Sequence, residues 1–216
     1  MVISEIYSTI LGESIDSGRP CVIVRLTGCH RRCTYCDSAH AFTGGREMSL
    51  DEVLAEVRAM ACPVVLVTGG EPLLQTDSLT LMARLLEDGR HVVLETSGTL
   101  GPASLSDVPG GVRRVVDVKT PGSGIPAGEV DWEGLASLGP GDEVKFVCCD
   151  RGDYVWARDM IREGGRLPAA STITLSPAEG MLAPADLAGW IMEDRLDVRF
   201  QVQLHKAVWP DREQGI

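Results

Sequence analysis

Three of the chain's seven cysteines, Cys29, Cys33 and Cys36, form a C-x3-C-x2-C run on the stretch Gly28-Cys29-His30-Arg31-Arg32-Cys33-Thr34-Tyr35-Cys36-Asp37-Ser38. Thiolates are soft ligands for zinc or iron–sulfur clusters, and three are one short of a closed four-ligand site. A structural zinc ion would need a fourth ligand, for which His30 and His40 are candidates, but no second C-x-x-C pair accompanies the run. An open [4Fe–4S] cube needs these three thiolates alone and leaves one iron free for a reacting ligand. A second feature bears on the choice. The apolar run Val64-Val65-Leu66-Val67-Thr68 leads into Gly69-Gly70-Glu71-Pro72. Such a glycine turn lets backbone approach a ligand, and its carbonyls or carboxylate can accept bonds from an ammonium group. Together the two features favour an open cluster with a small amino-bearing ligand.

Elements that could position these residues follow from hydrophobic patterning. Strands are expected at 21–26, 63–68, 91–95, 114–118, 143–147, 172–175 and 199–203. Several are almost continuously apolar, as parallel strands covered on both faces tend to be. Helices are expected between them. Ser49, with Glu52 three residues on, opens one whose apolar stripe is Leu50, Val53, Leu54 and Val57. Leu79, Met82, Leu85 and Leu86 mark a second before Gly89, Tyr154 to Ile161 a third after Asp150, and 185–193 another. Repeated βα units imply a mostly parallel sheet, open or curled into a partial barrel. Gly-, Pro- and Ser-rich stretches at 98–111 and 120–128 read as loops, so 1–216 is expected to be a single domain. Ligands of parallel α/β folds gather at the carboxyl ends of the strands. The loops there are 27–38, 69–73, 96–99, 119–124 and 176–180.

Composition narrows the function classes. Of 216 residues, 20 are Lys or Arg and 31 Asp or Glu, a formal net charge of −11. That balance repels phosphate backbones and excludes a typical nucleic-acid binder. No apolar run reaches membrane-spanning length and no signal segment is legible at Met1-Val2-Ile3-Ser4-Glu5, so a soluble cytoplasmic protein is expected. Cys21, Cys62, Cys148 and Cys149 lie in or beside apolar runs and read as small buried hydrophobes rather than a disulfide framework.

The cysteine run and the Gly69–Pro72 turn together resemble the radical S-adenosylmethionine (SAM) superfamily. The flanking residues resemble one family within it, the 7-carboxy-7-deazaguanine synthases. The likeness is carried by Ile6 to Ser14, Val24-Arg25-Leu26-Thr27-Gly28-Cys29, Cys36-Asp37-Ser38, Glu95-Thr96-Ser97-Gly98-Thr99, Asp117-Val118-Lys119-Thr120-Pro121, Glu143-Val144-Lys145-Phe146-Val147, Leu175-Ser176-Pro177 and Gln203-Leu204-His205-Lys206 with Trp209. Leu11 and Ser14 depart from the family's usual Gln-Gly-Glu-Gly.

The resemblance implies a partial βα barrel of radical SAM type. It implies a [4Fe–4S] cluster on Cys29, Cys33 and Cys36, with SAM chelating the open iron and yielding a 5′-deoxyadenosyl radical. The family converts 6-carboxy-5,6,7,8-tetrahydropterin to 7-carboxy-7-deazaguanine with loss of ammonia, in queuosine and 7-deazapurine biosynthesis, and uses Mg2+. It implies SAM contacts at Tyr35, Asp37, Gly69, Gly70, Glu71, Gly98, Lys119 and Ser176, Pro177, Ala178 and Glu179. Substrate contacts would come from Ile10, Leu11, Gly12, Glu13, Arg25, Thr96, His205 and the terminal Ile216. Ser38 would ligate Mg2+, with Asp37 as its rival. Arg25, a charge in an apolar strand, would meet the substrate carboxylate or else an internal acid such as Glu13. Lys119 would pair with the SAM carboxylate or with Asp117. A flavodoxin- or ferredoxin-like reductant and a homodimer are expected. The nearest alternative is a glycyl-radical-enzyme activating protein, which also carries C-x3-C-x2-C.

Overall fold

A computed structural model describes all residues except Leu100, Ala127, Gly128, Ala170, Glu213, Gln214 and Ile216. Its backbone is one sheet of nine described strands: β1 (Val2–Ile10), β2 (Pro20–Leu26), β3 (Arg46–Glu47), β4 (Val64–Gly69), β5 (His91–Thr96), β6 (Arg113–Asp117), β7 (Glu143–Cys148), β8 (Thr172–Pro177) and β9 (Arg199–Phe200). The order is β3-β1-β2-β4-β5-β6-β7-β8-β9. From β2 to β9 every neighbouring pair is parallel, whereas β1 runs antiparallel to both β2 and β3. The barrel is therefore incomplete, with β3 and β9 as unjoined edges.

The helices are α1 (Leu50–Ala59), α2 (Asp77–Glu87), α3 (Trp132–Leu135), α4 (Arg151–Glu163), α5 (Pro184–Asp194) and α6 (Leu204–Val208). Local chemistry sets their starts. The Ser49 hydroxyl accepts from the Glu52 N–H, and the Glu52 carboxylate accepts from the Ser49 N–H at 2.8 Å. This reciprocal cap contributes about 1 kcal/mol. Asp150 caps α4 by accepting from the Asp153 N–H at 3.0 Å.

The two faces of the sheet bury different sets. The outer face packs Val22, Val24, Val65, Val67, Val92 and Leu94 against Val53, Leu54 and Val57 of α1 and Leu81, Met82 and Leu85 of α2. Truncating a fully buried leucine here, such as Leu54, costs about 3 kcal/mol through lost contacts and a cavity. The inner face contributes a smaller cluster of Leu11, Cys21, Ile23, Val64, Leu66, Val93 and Val115. It fills the lower barrel interior, so residues two positions further along the strands, such as Arg25, Thr68, Glu95 and Asp117, open above it.

Two expectations change. The run 199–203 was expected to be a strand, but pairing ends at Phe200; Gln201 turns its side chain to residue 14, and His205 and Lys206 lie on α6 rather than just past a strand. Strand β1 was not expected. A bulge between Ile3 and Glu5 interrupts its alternation, sending Ile3 into the outer core and Glu5 and Tyr7 toward the interior. Cys21, Cys148 and Cys149 are buried free thiols, as expected, and Cys62 is half-buried. No described helix is long and apolar enough to cross a membrane.

Candidate active site

A cavity of about 670 Å³ sits above the inner apolar cluster. Its wall takes in residues of β1, β2, β4, β5, β6, β7 and β8, so the curled sheet surrounds it. All three run cysteines line it. Their loop is irregular and held from several sides: Gly28 N–H donates to Ala41 O at 2.8 Å, and the Thr34 hydroxyl donates to Gly122 O at 2.7 Å. The glycine turn braces it from below. Gly70 N–H donates to Leu26 O at 3.0 Å and Glu71 N–H to Gly28 O at 2.8 Å. Gly69 has φ +142, and a Cβ on Gly70 would collide with Gly28 and Cys29, so both positions require glycine.

Burial pushes the Cys29, Cys33 and Cys36 thiols upward. Thiolates are therefore disfavoured here unless a cation takes them up, which suits a metal cluster. The zinc alternative lacks its fourth ligand, because His30 bonds the Thr99 hydroxyl at 3.1 Å and His40 bonds Glu5 at 3.1 Å. Among the described residues no three His, Cys, Asp or Glu side chains gather about a single ion.

Charged residues share the cavity lining with the thiols. Arg25 donates to Glu5 at 2.6 Å, to the Tyr7 hydroxyl at 3.1 Å and to Ser38 Oγ at 3.0 Å. Ser38 donates to Asp37 at 3.1 Å, and Asp37 also accepts from Gln203 at 2.7 Å. Burial would raise the Asp37 pKa, but the Gln203 bond and the Lys206 and Lys145 ammonium groups outweigh it and hold the carboxyl at about 2. Lys145 donates to Glu13 at 3.2 Å and lies 3.9 Å from Asp117, which accepts from Lys119 at 2.8 Å. Burial alone would lower both lysines, yet Glu13, Glu95 and Asp117 beside Lys145, and Asp117 beside Lys119, keep them raised and charged. Glu95 differs. Burial, with Glu13 and Asp37 nearby, pushes it up to about 7 despite Lys145. His205 is held neutral by burial, which lowers its pKa.

Most residues singled out from the sequence meet in this cavity. Ile10, Gly12, Glu13, Arg25, Tyr35, Asp37, Ser38, Gly69, Gly70, Thr96, Lys119, Ser176 to Glu179, His205 and Lys206 line it. Three lie elsewhere. Leu11 is fully buried in the inner apolar cluster. The Glu71 carboxylate is also fully buried and accepts from the Thr96 and Ser97 hydroxyls and the Leu73 and Ser97 N–H groups, so it braces the turn rather than facing the cavity. Gly98 packs against Val116. Ile216 lies outside the described residues. The internal acid on Arg25 is Glu5, not Glu13, and Lys119 pairs with Asp117. Sequence reasoning gave no role to Glu5, Tyr7, Thr68, Glu95 and Lys145, and to Asp117 only that of a partner for Lys119; all six also line the cavity. A partial signal was present: Glu95 and Asp117 directly follow apolar runs, Val92 to Leu94 and Val115-Val116, and Lys145 sits between Val144 and Phe146.

Residues 23–116 match the model of the Radical SAM superfamily. Over 230 aligned residues the chain is 44% identical to the 7-carboxy-7-deazaguanine synthase of Koribacter versatilis (strain Ellin345), covering all of both proteins. The chain belongs to the 7-carboxy-7-deazaguanine synthase family. The Chlorobaculum tepidum synthase is 39% identical over 216 residues, with 99% of this chain and 96% of the relative covered. The crystal structure of QueE from Escherichia coli superposes with TM-score 0.74 at 23% identity, covering 94% of each chain, a likeness of fold. Streptococcus suis SuiB shares the fold more distantly, with TM-score 0.61 at 13% identity over 83% of this chain and 47% of that one.

Synthases of this family hold a [4Fe–4S] cluster, SAM and Mg2+, and the cavity fits each. Three thiols, Cys29, Cys33 and Cys36, line the cavity and are of the ligand type that such a cluster would take. The Tyr35 hydroxyl and Asp117 Oδ1 are buried without a partner among the described residues, polar positions that a bound ligand would satisfy. Ser38 and Asp37 offer adjacent hard oxygens of the kind Mg2+ prefers.

Proposed function

We propose that the chain converts 6-carboxy-5,6,7,8-tetrahydropterin to 7-carboxy-7-deazaguanine with release of ammonia. The observation that carries this reading is one cavity, in a chain alignable end to end with a synthase, whose lining brings three thiols together with Arg25, Ser38, Glu13 and Thr96. When bound, the cluster and SAM supply the one-electron chemistry that removes a hydrogen atom from the substrate. The protein's own part is orientation. Arg25, fixed by Glu5 and Tyr7, offers its remaining N–H groups to the substrate carboxylate, and Ser38 beside it would hold Mg2+. Glu13, held by Lys145, and the Thr96 hydroxyl bond the edges of the flat heterocycle. Tyr35, Asp37, Lys119 and residues 176–179, all in the cavity lining, would hold SAM. Buried Lys145 and Lys119 offset the acids around them, so the cavity accepts an anionic substrate in a chain of net charge −11.

In this reading the chain acts as one domain over 1–216, in the cytoplasm, as a homodimer supplied with electrons by a flavodoxin or ferredoxin. The test is anaerobic reconstitution followed by incubation with SAM, a reductant, Mg2+ and carboxytetrahydropterin. Ammonia and the deazaguanine should appear, with SAM regenerated rather than consumed. No product from protein with four irons per chain and competent SAM cleavage would overturn the substrate assignment.

A further inference from the structure

The segment between β1 and β2, residues 11–19, closes the lower end of the barrel interior. Asp16 bonds His91 and Arg113 at the starts of β5 and β6, and the Ile15 N–H donates to Glu143 at the start of β7 at 2.7 Å. Glu13 rises from this plug into the cavity to meet Lys145. Within the plug, Ser17 reaches both neighbours of residue 13, its N–H donating to Ser14 O at 3.1 Å and its hydroxyl to Gly12 O at 3.3 Å. The same two neighbours are also gripped by the segment following β9. The Leu204 N–H donates to Gly12 O at 2.9 Å, and a Cβ on Gly12 would run into the His205 ring. On the other side the Gln201 amide clasps Ser14 twice: the Ser14 N–H donates to Gln201 Oε1 at 3.0 Å, and Gln201 Nε2 donates to Ser14 O at 2.9 Å. Gln201 is buried, and its own N–H donates to Leu175 O at 3.0 Å, which anchors it to β8.

Ser14 has φ +74, the left-handed region that a non-glycine residue occupies only when its surroundings enforce it. The reciprocal amide pair constrains it from outside the plug, and two local bonds help, from the Asp16 N–H to Ser14 Oγ at 3.1 Å and from the Ser17 N–H to Ser14 O at 3.1 Å. Without the amide pair Ser14 relaxes toward ordinary φ, which turns the preceding peptide and swings Glu13 away from Lys145. Gln201 does not line the cavity. We infer that Gln201 is a positioning residue for substrate binding, acting through the Ser14 backbone to set the Glu13 carboxylate. The inference rests on the reading of Glu13 as a substrate contact.

The test is a double-mutant cycle on the reconstituted enzyme, with KM for carboxytetrahydropterin, KM for SAM, kcat and iron content measured for each protein. Gln201→Ala should raise the pterin KM about tenfold, with kcat and the KM for SAM within about twofold, because two buried hydrogen bonds that orient a binding group are lost. In the Glu13→Gln background the same change should alter the pterin KM less than about twofold. Gln201→Glu keeps an acceptor for the Ser14 N–H but no donor for Ser14 O, and should fall between. It carries the test if the alanine variant fails to fold. A pterin KM unchanged in Gln201→Ala, or the same rise with and without Glu13, overturns the inference and leaves the proposed reaction standing. A Glu13→Gln enzyme with normal pterin KM overturns both the inference and the role of Glu13. Absence of product from the unsubstituted enzyme is a failure of the functional reading alone.

Discussion

At the lower end of the barrel interior Asp16 accepts from Arg19 at 2.7 Å, from His91 at 2.7 Å and from Arg113, three donors converging on one carboxylate. At the upper end, around Arg25, Glu95, Asp117 and Lys145, the charges are as dense but less completely paired. Asp117 Oδ1 has no partner among the described residues, and Glu95 has a long bond from Thr68 at 3.4 Å and is pushed toward its neutral form. The lower group is a latch that satisfies itself and contributes stability. The upper group is left short of partners where a ligand would sit, as expected at the carboxyl ends of barrel strands. The same residue types hold the fold at one end and face the chemistry at the other, and what separates them is how far each hydrogen-bonding capacity is met internally.

The largest expected effect lies at the upper end. Cys33→Ala should lose iron and sulfide and reduce product formation by about a thousandfold or more, yet leave a folded chain by circular dichroism, because Cys33 is half-buried in an irregular loop. Iron near four per chain in that variant would show that the upper end is not a cluster site. Next, Arg25→Ala should raise the pterin KM by roughly 10- to 100-fold, the range for losing charge-assisted bonds, while SAM binding is spared. Normal pterin binding would mean that Arg25, saturated by Glu5, Tyr7 and Ser38, belongs with the self-satisfied class.

Asp16→Asn probes the lower end. It should destabilise the fold by about 1–2 kcal/mol, less than for a fully buried cluster because Arg19, His91 and Arg113 keep part of their surface in water, with iron content intact. Burial raises the Asp16 carboxyl, but the Arg19 and His91 bonds and Arg113 outweigh it, so its pKa is lowered on folding. Its contribution is present above the unfolded carboxylate pKa and is lost as pH falls through the lowered folded value. Thermal melts at falling pH, compared with the variant, should show this; coincident melts at neutral pH would deny the latch.

The smallest effect concerns Glu95, for which the sign reverses. Its pKa rises from 4.5 to about 7 on folding, so the native state holds the proton longer and stability falls as pH rises through that window. Glu95→Gln should flatten the pH dependence of the melting temperature between about 4.5 and 7. An unchanged slope would place Glu95 in solvent-like surroundings and weaken the contrast between the two ends.

The parts of this architecture legible in the sequence were those coded locally. Val64 to Val67 reads as a doubly covered strand from its own composition, and Ser49 with Glu52 writes its cap within one helical turn. The cysteine loop was legible because its ligands are adjacent. Strand β1 was not, since its inward residues Glu5 and Tyr7 are polar and a bulge breaks the alternation that would reveal it. Glu71 reads as a ligand group from the G-G-E-P turn alone, and only the fold brings the Thr96 and Ser97 hydroxyls onto its carboxylate. Lys145 and Glu13 are 132 positions apart, a pairing without a local signature. Segment 199–203 has strand propensity, but tertiary bonds to residues 12 and 14 draw it off the sheet after Phe200.

The clasp between Ser14 and Gln201 joins positions 187 apart. Synthesis proceeds from the amino end, so the cysteine loop and the first parallel strands exist well before Gln201 leaves the ribosome. A contact of such sequence separation closes late, after the intervening elements have shortened the loop between its partners. The floor of the cavity is therefore finished last. The three cysteines, eight residues end to end, need no such closure, whereas the backbone around Glu13 waits on a contact 187 positions away.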